Sequence, residues 1–310
     1  MADDVRGEIL AEVTRSGLVE SHHSGHLVLL AADGSIQLWR GNPAMPIFPR
    51  STIKAIQTCA MVRSGLHLES RLLALVAASH SGSQMHQSAV KEILALASLD
   101  ERALQNAHDR PLGEDERRAW GSNPSTALAH NCSGKHAGMI LTCVANNWPT
   151  VNYLDPTHPL QIACRKELEE LAGEEASLVS VDGCGAPLFV ITLMGLARAI
   201  HRITISDDPI HRTVIQACRN FPEMVAGEGR LTTRKMREIP GLFMKEGAEG
   251  IEVGSLPDGR TFVFKVNDGS SRAFEALVVA ALAKFGLPST EESKPIYGGK
   301  KAIGSIRAVL

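Results

Sequence analysis

Segments with the pattern of β-strands lie near both ends of this chain, whereas the long middle is dominated by helical patterns. Residues 27–30 and 36–39 are apolar-rich runs that flank an Ala-Asp-Gly-Ser turn, which is typical of a β-hairpin. Residues 250–253 and 261–266 flank a Pro-Asp-Gly turn, and residues 303–310 have the pattern of a closing strand. We therefore predict an α+β fold in which one antiparallel sheet is formed from both termini and covered by helices.

The middle of the chain predicts a second, mostly helical lobe. Helical patterns cover about 52–65, 84–98, 100–108, a segment starting after Ser133-Gly134, 158–172, 186–200, 207–220 and 230–238, with a further apolar helix over 270–286. No internal repeat, low-complexity tract or Pro/Gly/Ser-rich linker divides the sequence. We expect a single domain over residues 1–310, with two lobes and a cleft between them.

The charge balance of the 310 residues argues against several classes of partner. Lys and Arg number 32 and Asp and Glu number 34, which gives a net charge of −2 without a run of like charge. Such a balance disfavours a nucleic acid or a membrane surface as partner. No apolar stretch reaches transmembrane length, and the opening Met1-Ala2-Asp3-Asp4 is too acidic for a secretory signal. We therefore expect a cytoplasmic protein whose six cysteines are mostly reduced core residues.

The segment Phe48-Pro49-Arg50-Ser51-Thr52-Ile53-Lys54 places a hydroxyl and an amine at a predicted helix start. Ser51 and Lys54 have the i, i+3 spacing at which helical side chains share a face. A serine is a poor nucleophile until a neighbour accepts its proton, and a lysine does so only when burial or another cation keeps it neutral. Serine β-lactamases and penicillin-binding proteins use this S-x-x-K spacing for acyl transfer. Ser51 is thus a candidate nucleophile and Lys54 its candidate base.

A second match shows that this spacing alone is not specific. Ser88-Ala89-Val90-Lys91 also fits S-x-x-K, but it lies in the apolar pattern of an ordinary amphipathic helix. Ser51 is distinguished only by other unusual segments of the chain.

One such segment is Asn131-Cys132-Ser133-Gly134-Lys135-His136-Ala137-Gly138-Met139, which collects small residues and polar groups at a helix start. Backbone N–H groups there would favour an anion such as a carboxylate. Cys132 and Lys135 are also close enough along the helix to point at one spot. The alternative is a tight helix start at which Ser133 caps and Cys132 packs.

Another segment, Val181-Asp182-Gly183-Cys184-Gly185-Ala186-Pro187, follows an apolar run that resembles a strand. The alternative here is a plain Asp-Gly turn with a buried thiol. If Cys132 and Cys184 converge, two thiolates and a nearby nitrogen could hold Zn²⁺ with one coordination position open.

A further serine–lysine pair is suggested by Ser79, in Ala78-Ser79-His80-Ser81-Gly82, and by Lys265 on the predicted strand 261–266. A strand lysine beside an active serine is typical of penicillin-recognising enzymes. The S-D-N and K-T-G triplets of that group are absent, and Asn267-Asp268-Gly269 follows Lys265 instead, so a β-lactamase activity is disfavoured.

Together these segments resemble the Rhizobium-etli-type L-asparaginases, which are zinc-containing amidohydrolases. The matching segments occur in the expected order over nearly the whole chain: residues 48–57, 78–82, 131–139, 181–185, 222–230, and Lys265 ahead of Asp268-Gly269. The resemblance implies a serine-β-lactamase or penicillin-binding-protein-like fold. Ser83 stands where that family often has glutamate.

The resemblance also implies roles for individual residues. It implies Ser51 as the nucleophile with Lys54 as base, and Ser79 with Lys265 as a second pair. The implied zinc ligands are Cys132, Lys135 and Cys184, and the implied lining of the substrate pocket is Arg50, His136 and Asp182. The expected protein is a homodimer that hydrolyses L-asparagine to L-aspartate and ammonia through a serine acyl-enzyme, with Zn²⁺ positioning the substrate.

Two other interpretations remain open at this point. One is a related serine–lysine amidohydrolase with another substrate preference, such as a glutaminase or a β-lactamase-like enzyme. The other is a non-catalytic module that binds zinc or an amino acid, which the two serine–lysine pairs disfavour.

Overall fold

The computed structural model describes residues 6–287 and 294–310, so the acidic opening Met1-Ala2-Asp3-Asp4 lies outside the described residues. The strands are β1 Glu8–Arg15, β2 Leu18–Leu30, β3 Ile36–Arg40, β4 Pro46–Ile47, β5 Leu178–Val181, β6 Pro187–Thr192, β7 Phe243–Gly247, β8 Ile251–Ser255, β9 Thr261–Val266, β10 Lys294–Gly298 and β11 Lys301–Ala308. The α-helices are α1 Lys54–Arg63, α2 Ser70–Val76, α3 Gln84–Leu96, α4 Glu114–Trp120, α5 Ser133–Ala145, α6 Pro159–Ala172, α7 Leu193–Ile205, α8 Pro209–Asn220, α9 Pro222–Val225, α10 Leu231–Glu238 and α11 Phe274–Lys284. Short 3₁₀ helices cover Arg50–Ile53 and Glu101–Ala103. Within the described ranges, no helix combines the length and apolar character needed to cross a bilayer.

The main sheet joins the two ends of the chain. Its strand order is β10-β11-β1-β2-β9-β8-β7, with β3 also paired to β2. Its pairings are antiparallel, and the pairing of β1 with β11 sets Val13 opposite Ile306. The prediction of an α+β fold with an antiparallel sheet formed from both termini is therefore confirmed.

The centre of this sheet is covered on both sides. Leu27, Val28, Leu29 and Leu30 on β2 are all fully buried. Successive side chains of a strand point to opposite faces, so both faces must be packed at this place. Helix α7 packs against β2, β8 and β9, and α11 packs against β1 and β11.

The predicted hairpin between residues 27–30 and 36–39 is present, because β2 pairs with β3 across the Asp-Gly turn. An additional hairpin joins β1 to β2 through Ser16 and Gly17, whose φ angles are +49° and +86°. Two central residues with positive φ match the right-handed twist of the flanking strands, which explains the glycine at this turn.

The helix predicted over residues 186–200 is partly wrong. Residues Pro187–Thr192 form the buried strand β6, and helix α7 begins only at Leu193. A short continuous apolar run suits a buried strand as well as a helix, and pairing with β5 decides the outcome here. The helix predicted over 100–108 is reduced to the 3₁₀ turn Glu101–Ala103.

The candidate site lies where the sheet meets the helices. Edge strand β7 runs so close to the 3₁₀ helix Arg50–Ile53 that a Cβ atom on Gly247 would lie 3.2 Å from the carbonyl oxygen of Pro49. The loop after α2 is held by the backbone bond from Ser79 N–H to Val225 O at 2.9 Å. The small sheet β4-β6-β5 fixes the turn that carries Cys184.

Candidate active site

Ser51 lies in the wall of a cleft of about 690 Å³, directly after a strained residue. Arg50 has a φ of +51°, a left-handed conformation that costs a non-glycine residue about 1–3 kcal/mol. The side chain of Arg50 is held by Asp182, with Nε 2.7 Å from Oδ1. Ser51 is only 8% exposed, and its hydroxyl takes part in none of the hydrogen bonds found among the described residues. The turn therefore presents an available hydroxyl to the cleft.

Two buried lysines converge on the hydroxyl of Ser79. Lys54 Nζ lies 3.1 Å from Ser79 Oγ, and Lys245 Nζ lies 2.7 Å from the same atom. Ser79 also contributes to the wall of the cleft that contains Ser51. The hydroxyl of Ser79 thus connects two amines beside the candidate nucleophile.

The predicted direct partnership between Ser51 and Lys54 is not a hydrogen bond in this structure. The ammonium of Lys54 donates to the carbonyl oxygen of Ala78 at 2.5 Å, to Ser79 Oγ, and to Cys132 Sγ at 3.0 Å. These acceptors lie deeper than Ser51, and a fully buried ammonium needs them. Lys54 therefore touches Ser79 and the thiol of Cys132 at the same time.

The predicted pairing of Ser79 with Lys265 is wrong. Lys265 lies on β9, where its half-buried ammonium donates to the carbonyl oxygen of Val266 at 2.8 Å. Lys245 occupies the expected position because it lies on the edge strand β7, which contacts the 3₁₀ helix. The sequence contained a signal for it, because Lys245-Glu246-Gly247 differs from the K-T-G triplet only in the middle residue.

Burial lowers the pKa of Lys245 well below its usual value, and the positive charges of Lys54 and Arg230 lower it further. Arg230, which sequence reasoning did not assign to the site, donates from Nη1 to the carbonyl oxygen of Ser79 at 2.5 Å. Burial raises the pKa of Glu252, on the neighbouring strand β8, to about 8. Neither carboxyl oxygen of Glu252 has a hydrogen-bond partner within the described residues. The cluster thus contains an amine and a carboxyl that both favour the neutral form.

The structure brings Cys132, Lys135 and Cys184 together in a second buried cluster. Lys135 Nζ lies 3.2 Å from Cys184 Sγ. A hydrogen bond from Cys132, followed by the positive charge of Lys135, lowers the pKa of Cys184 well below its usual value, although burial opposes this. Burial alone would lower the pKa of Lys135, but the negative charge of Cys184 outweighs it and the pKa of Lys135 is raised. This cluster therefore favours a thiolate beside an ammonium.

The donor set of this second cluster fits a zinc ion. Thiolates are preferred zinc ligands, and two thiols with one nitrogen leave a fourth tetrahedral position open. Within residues 6–287 and 294–310, no group of three or more His, Cys, Asp or Glu side chains is arranged to hold a metal ion. The third donor would therefore be the Lys135 amine, which would have to lose the proton that the charge of Cys184 stabilises in the metal-free protein.

The described lining of the cleft does not include Arg50, Asp182 and His136, which the resemblance places around the substrate. Arg50 and Asp182 form the ion pair next to Ser51, with both side chains largely buried. His136 is fully buried, and its Nδ1 lies 2.8 Å from the hydroxyl oxygen of Tyr153. Sequence reasoning did not assign Tyr153 to the site, because a lone tyrosine in a loop carries no recognisable motif.

The model of one protein family, L-asparaginase II, matches residues 11–303 of this chain. The chain belongs to the L-asparaginase II family. No curated protein matches the chain by sequence.

Three solved structures are similar to this member of the L-asparaginase II family at low sequence identity. The native form of Mglu is 11% identical over 86% of this chain and 65% of that chain, with a TM-score of 0.45, so this chain spans about two thirds of Mglu. The β-lactamase Mb2281c from Mycobacterium bovis is 14% identical over 85% of this chain and 95% of that chain, with a TM-score of 0.45. EstCE1, a hydrolase with promiscuous acyltransferase activity, is 11% identical over 90% of this chain and 94% of that chain, with a TM-score of 0.42.

Three other residues singled out in the sequence lie on helix α3 or at its start in this family member. Ser88 and Lys91 are exposed on α3, and Lys91 pairs with Glu101 at 3.4 Å, so the second S-x-x-K match lies on the surface. Ser83 is the N-cap of α3, where its hydroxyl accepts a hydrogen bond from His86 N–H at 3.4 Å.

Proposed function

We propose that this family member is an L-asparaginase that hydrolyses L-asparagine to L-aspartate and ammonia through an acyl-enzyme on Ser51. The observation that carries the proposal is the chain of polar groups Lys54–Ser79–Lys245 beside an available Ser51 hydroxyl in the cleft wall. An amine accepts a proton only when it is neutral, and the pKa of Lys245 is held well below its usual value by burial and neighbouring cations. Such a group is suited to proton transfer near neutral pH.

In the first half of the reaction, Ser51 Oγ attacks the side-chain amide carbon of asparagine. The new C–O bond forms as the serine proton passes to Lys54, which lies one turn along the same helical segment. Lys54 can accept this proton because it has first passed one of its own through Ser79 Oγ to the neutral amine of Lys245. The backbone N–H of Ser51, at the start of the 3₁₀ helix, would stabilise the resulting oxyanion. Collapse of this intermediate breaks the C–N bond and leaves an aspartyl ester on Ser51.

The ammonia leaves with a proton returned from the lysines through the hydroxyl of Ser79. Ser79 can pass a proton because it accepts from both amines and carries one hydrogen of its own. Water then attacks the ester, loses a proton to the same group of amines, and releases L-aspartate. Ser51 recovers its proton as the C–O bond breaks.

Arg50 and Asp182 would hold the α-carboxylate and the α-amine of the substrate, because they carry the two opposite charges behind Ser51. Cys132, Lys135 and Cys184 would hold Zn²⁺, which would supply positive charge for positioning the substrate. The contact between Lys54 and Cys132 would keep that positioning site against the serine–lysine cluster. We also propose a cytoplasmic homodimer, as the family resemblance implies.

The test is ammonia release from L-asparagine by wild-type, Ser51→Ala and Ser88→Ala proteins. We expect Ser51→Ala to lose activity by about 10³-fold or more, because the acyl-enzyme cannot form. Ser88→Ala is the matched control, since it removes the serine of the exposed S-x-x-K sequence, and it should retain wild-type activity. Mass spectrometry of protein quenched during turnover should find the aspartyl ester on Ser51.

Other outcomes would replace the proposal. If Ser79→Ala loses all activity and Ser51→Ala does not, Ser79 is the nucleophile. Faster ammonia release from glutamine than from asparagine would make the protein a glutaminase. Binding of asparagine without any ammonia release would indicate an amino-acid-binding module.

A further inference from the structure

A line of buried polar groups runs behind the thiols and has no part in the reaction proposed above. Tyr153 and His136 are both fully buried, and the Tyr153 hydroxyl oxygen lies 2.8 Å from His136 Nδ1. The backbone N–H of Gln105 donates to the same hydroxyl oxygen at 3.2 Å. The two rings meet edge to face, with centroids 5.7 Å apart and planes at 69°. Both rings are therefore held in one arrangement.

The directions of these hydrogen bonds can be worked out from the groups themselves. A backbone N–H only donates, so the Tyr153 oxygen accepts from Gln105. If His136 Nδ1 also carried hydrogen and donated to Tyr153, the phenolic hydrogen would need another acceptor. Among the described residues, Tyr153 Oη has no other hydrogen-bond partner. A buried hydroxyl without an acceptor is costly, so the phenol must donate to Nδ1.

The protonation of the imidazole then follows. An imidazole whose Nδ1 accepts a hydrogen bond is in its neutral form, which carries a single hydrogen. Because Nδ1 accepts from Tyr153, that hydrogen is on Nε2. Nε2 is buried without a well-aligned hydrogen bond in the described part of the chain, and the sulfur of Cys184 is close enough to interact with it.

We propose that Tyr153 is a positioning residue that fixes His136 as the Nε2–H tautomer, so that His136 presents a hydrogen-bond donor beside Cys184. Both lone-pair positions of the ring are then withdrawn from metal binding: Nδ1 accepts from Tyr153, and Nε2 carries hydrogen. His136 would orient the Cys184 sulfur or an oxygen of a bound carboxylate, and the metal donors would remain Cys132, Lys135 and Cys184. The proposal rests on the proposed function only for the use of this site in substrate binding.

The tautomer can be measured directly in protein labelled with ¹⁵N at its histidine rings. The sequence contains 12 histidines, so the His136 signals are assigned by their absence in His136→Gln. In metal-free wild type at neutral pH, we expect Nδ1 to show the shift of a nitrogen without hydrogen and Nε2 that of a nitrogen bearing hydrogen. A wild-type spectrum with hydrogen on Nδ1 would overturn the proposal, and this measurement requires no variant of Tyr153.

The second test removes the phenolic hydroxyl of Tyr153. Tyr153→Phe should produce the Nδ1–H tautomer or a mixture of the two, whereas Tyr297→Phe should leave the His136 signals unchanged. Tyr297 is the matched control because it is the other tyrosine of the chain and is 59% exposed. We also expect KM for asparagine to rise by about tenfold in Tyr153→Phe with kcat nearly unchanged, in line with the loss of a group that orients a site. An unchanged tautomer in folded Tyr153→Phe would count against the proposal.

The two proposals fail separately. The spectra are recorded without substrate, so their result does not depend on whether the protein is an asparaginase. A wrong tautomer would leave the Ser51→Ala test untouched. Conversely, full activity of Ser51→Ala would end the acyl-enzyme proposal while the role of Tyr153 could still be read from the spectra.

Discussion

Lys245 and Lys135 are both buried lysines beside the same candidate site, yet their surroundings act on them in opposite directions. Burial and the charges of Lys54 and Arg230 lower the pKa of Lys245. The negative charge of Cys184 overcomes burial and raises the pKa of Lys135. A lysine side chain is thus suited to proton transfer at position 245 and to pairing with a negative charge at position 135. The nearest charges, rather than burial itself, decide which task each lysine performs.

Lys54 lies between the two clusters and belongs to both. Its ammonium is 3.1 Å from Ser79 Oγ on one side and 3.0 Å from Cys132 Sγ on the other. A change of charge in either cluster therefore acts on Lys54, which follows Ser51 on the same helical segment. The comparison predicts that the cluster of Lys54, Ser79 and Lys245 controls the rate of reaction. The cluster of Cys132, Lys135 and Cys184 should instead control binding of the substrate.

The largest expected effect is that of Lys245→Met, which keeps the bulk of the side chain and removes the amine. We expect kcat for asparagine to fall by about 10³-fold, in the range of lost acid–base catalysis. Lys265→Met is the matched control on strand β9, and we expect nearly wild-type kcat because Lys265 bonds only to a backbone carbonyl among its described hydrogen-bond partners. Steady-state ammonia release, with circular dichroism to verify folding, measures both. Equal losses in the two variants would remove the distinction between these lysines.

The confusion of Lys265 with Lys245 shows what can be predicted from sequence. Residues Thr261–Val266 form a long apolar run after a clear turn, so their strand was predictable from local pattern alone. Strand β7 has only five residues and no marked alternation, and its place at the edge of the sheet depends on how the whole sheet assembles. The partner of Ser79 is set by that non-local order.

The cluster of Cys132, Lys135 and Cys184 was likewise predictable only in part from local sequence. Cys132 and Lys135 are one helical turn apart, so their proximity follows from local spacing. Cys184 lies 49 residues after Lys135 and reaches it only because β5 and β6 hold its turn in place. Helical spacing therefore predicts that Cys132 and Lys135 lie close together, whereas Cys184 was assigned to the site through the family resemblance.

The next largest effect that we expect is on the pH dependence of stability, and it tests whether Glu252 is a neutral carboxyl in the Lys245 cluster. Burial raises the pKa of Glu252 from 4.5 to about 8. Below pH 4.5 the folded and unfolded states both hold this proton. Between pH 4.5 and about 8 only the unfolded state releases it, so the free energy of unfolding should fall by a few kcal/mol over this range.

Glu252→Gln cannot release a proton and should lose this part of the pH dependence. Urea unfolding at pH 5 and pH 8 measures the change, with Glu175→Gln as the control because Glu175 is exposed. The slope of stability with pH should be smaller in Glu252→Gln than in the other two proteins. Identical slopes in all three would mean that Glu252 is solvated or paired in solution, and the Lys245 cluster would then lack its neutral carboxyl.

The smallest expected effect is on the second cluster. Lys135→Met removes the nitrogen donor, and we expect zinc affinity to fall by about 10- to 100-fold and KM for asparagine to rise, with kcat changed far less than in Lys245→Met. Lys235→Met is the matched control, because Lys235 is equally buried but pairs with Glu238 on α10. Zinc content after dialysis and the separate values of KM and kcat distinguish the outcomes. If Lys135→Met instead lowered kcat as much as Lys245→Met and left KM unchanged, both lysines would serve the chemical step, and their opposite surroundings would not correspond to different tasks.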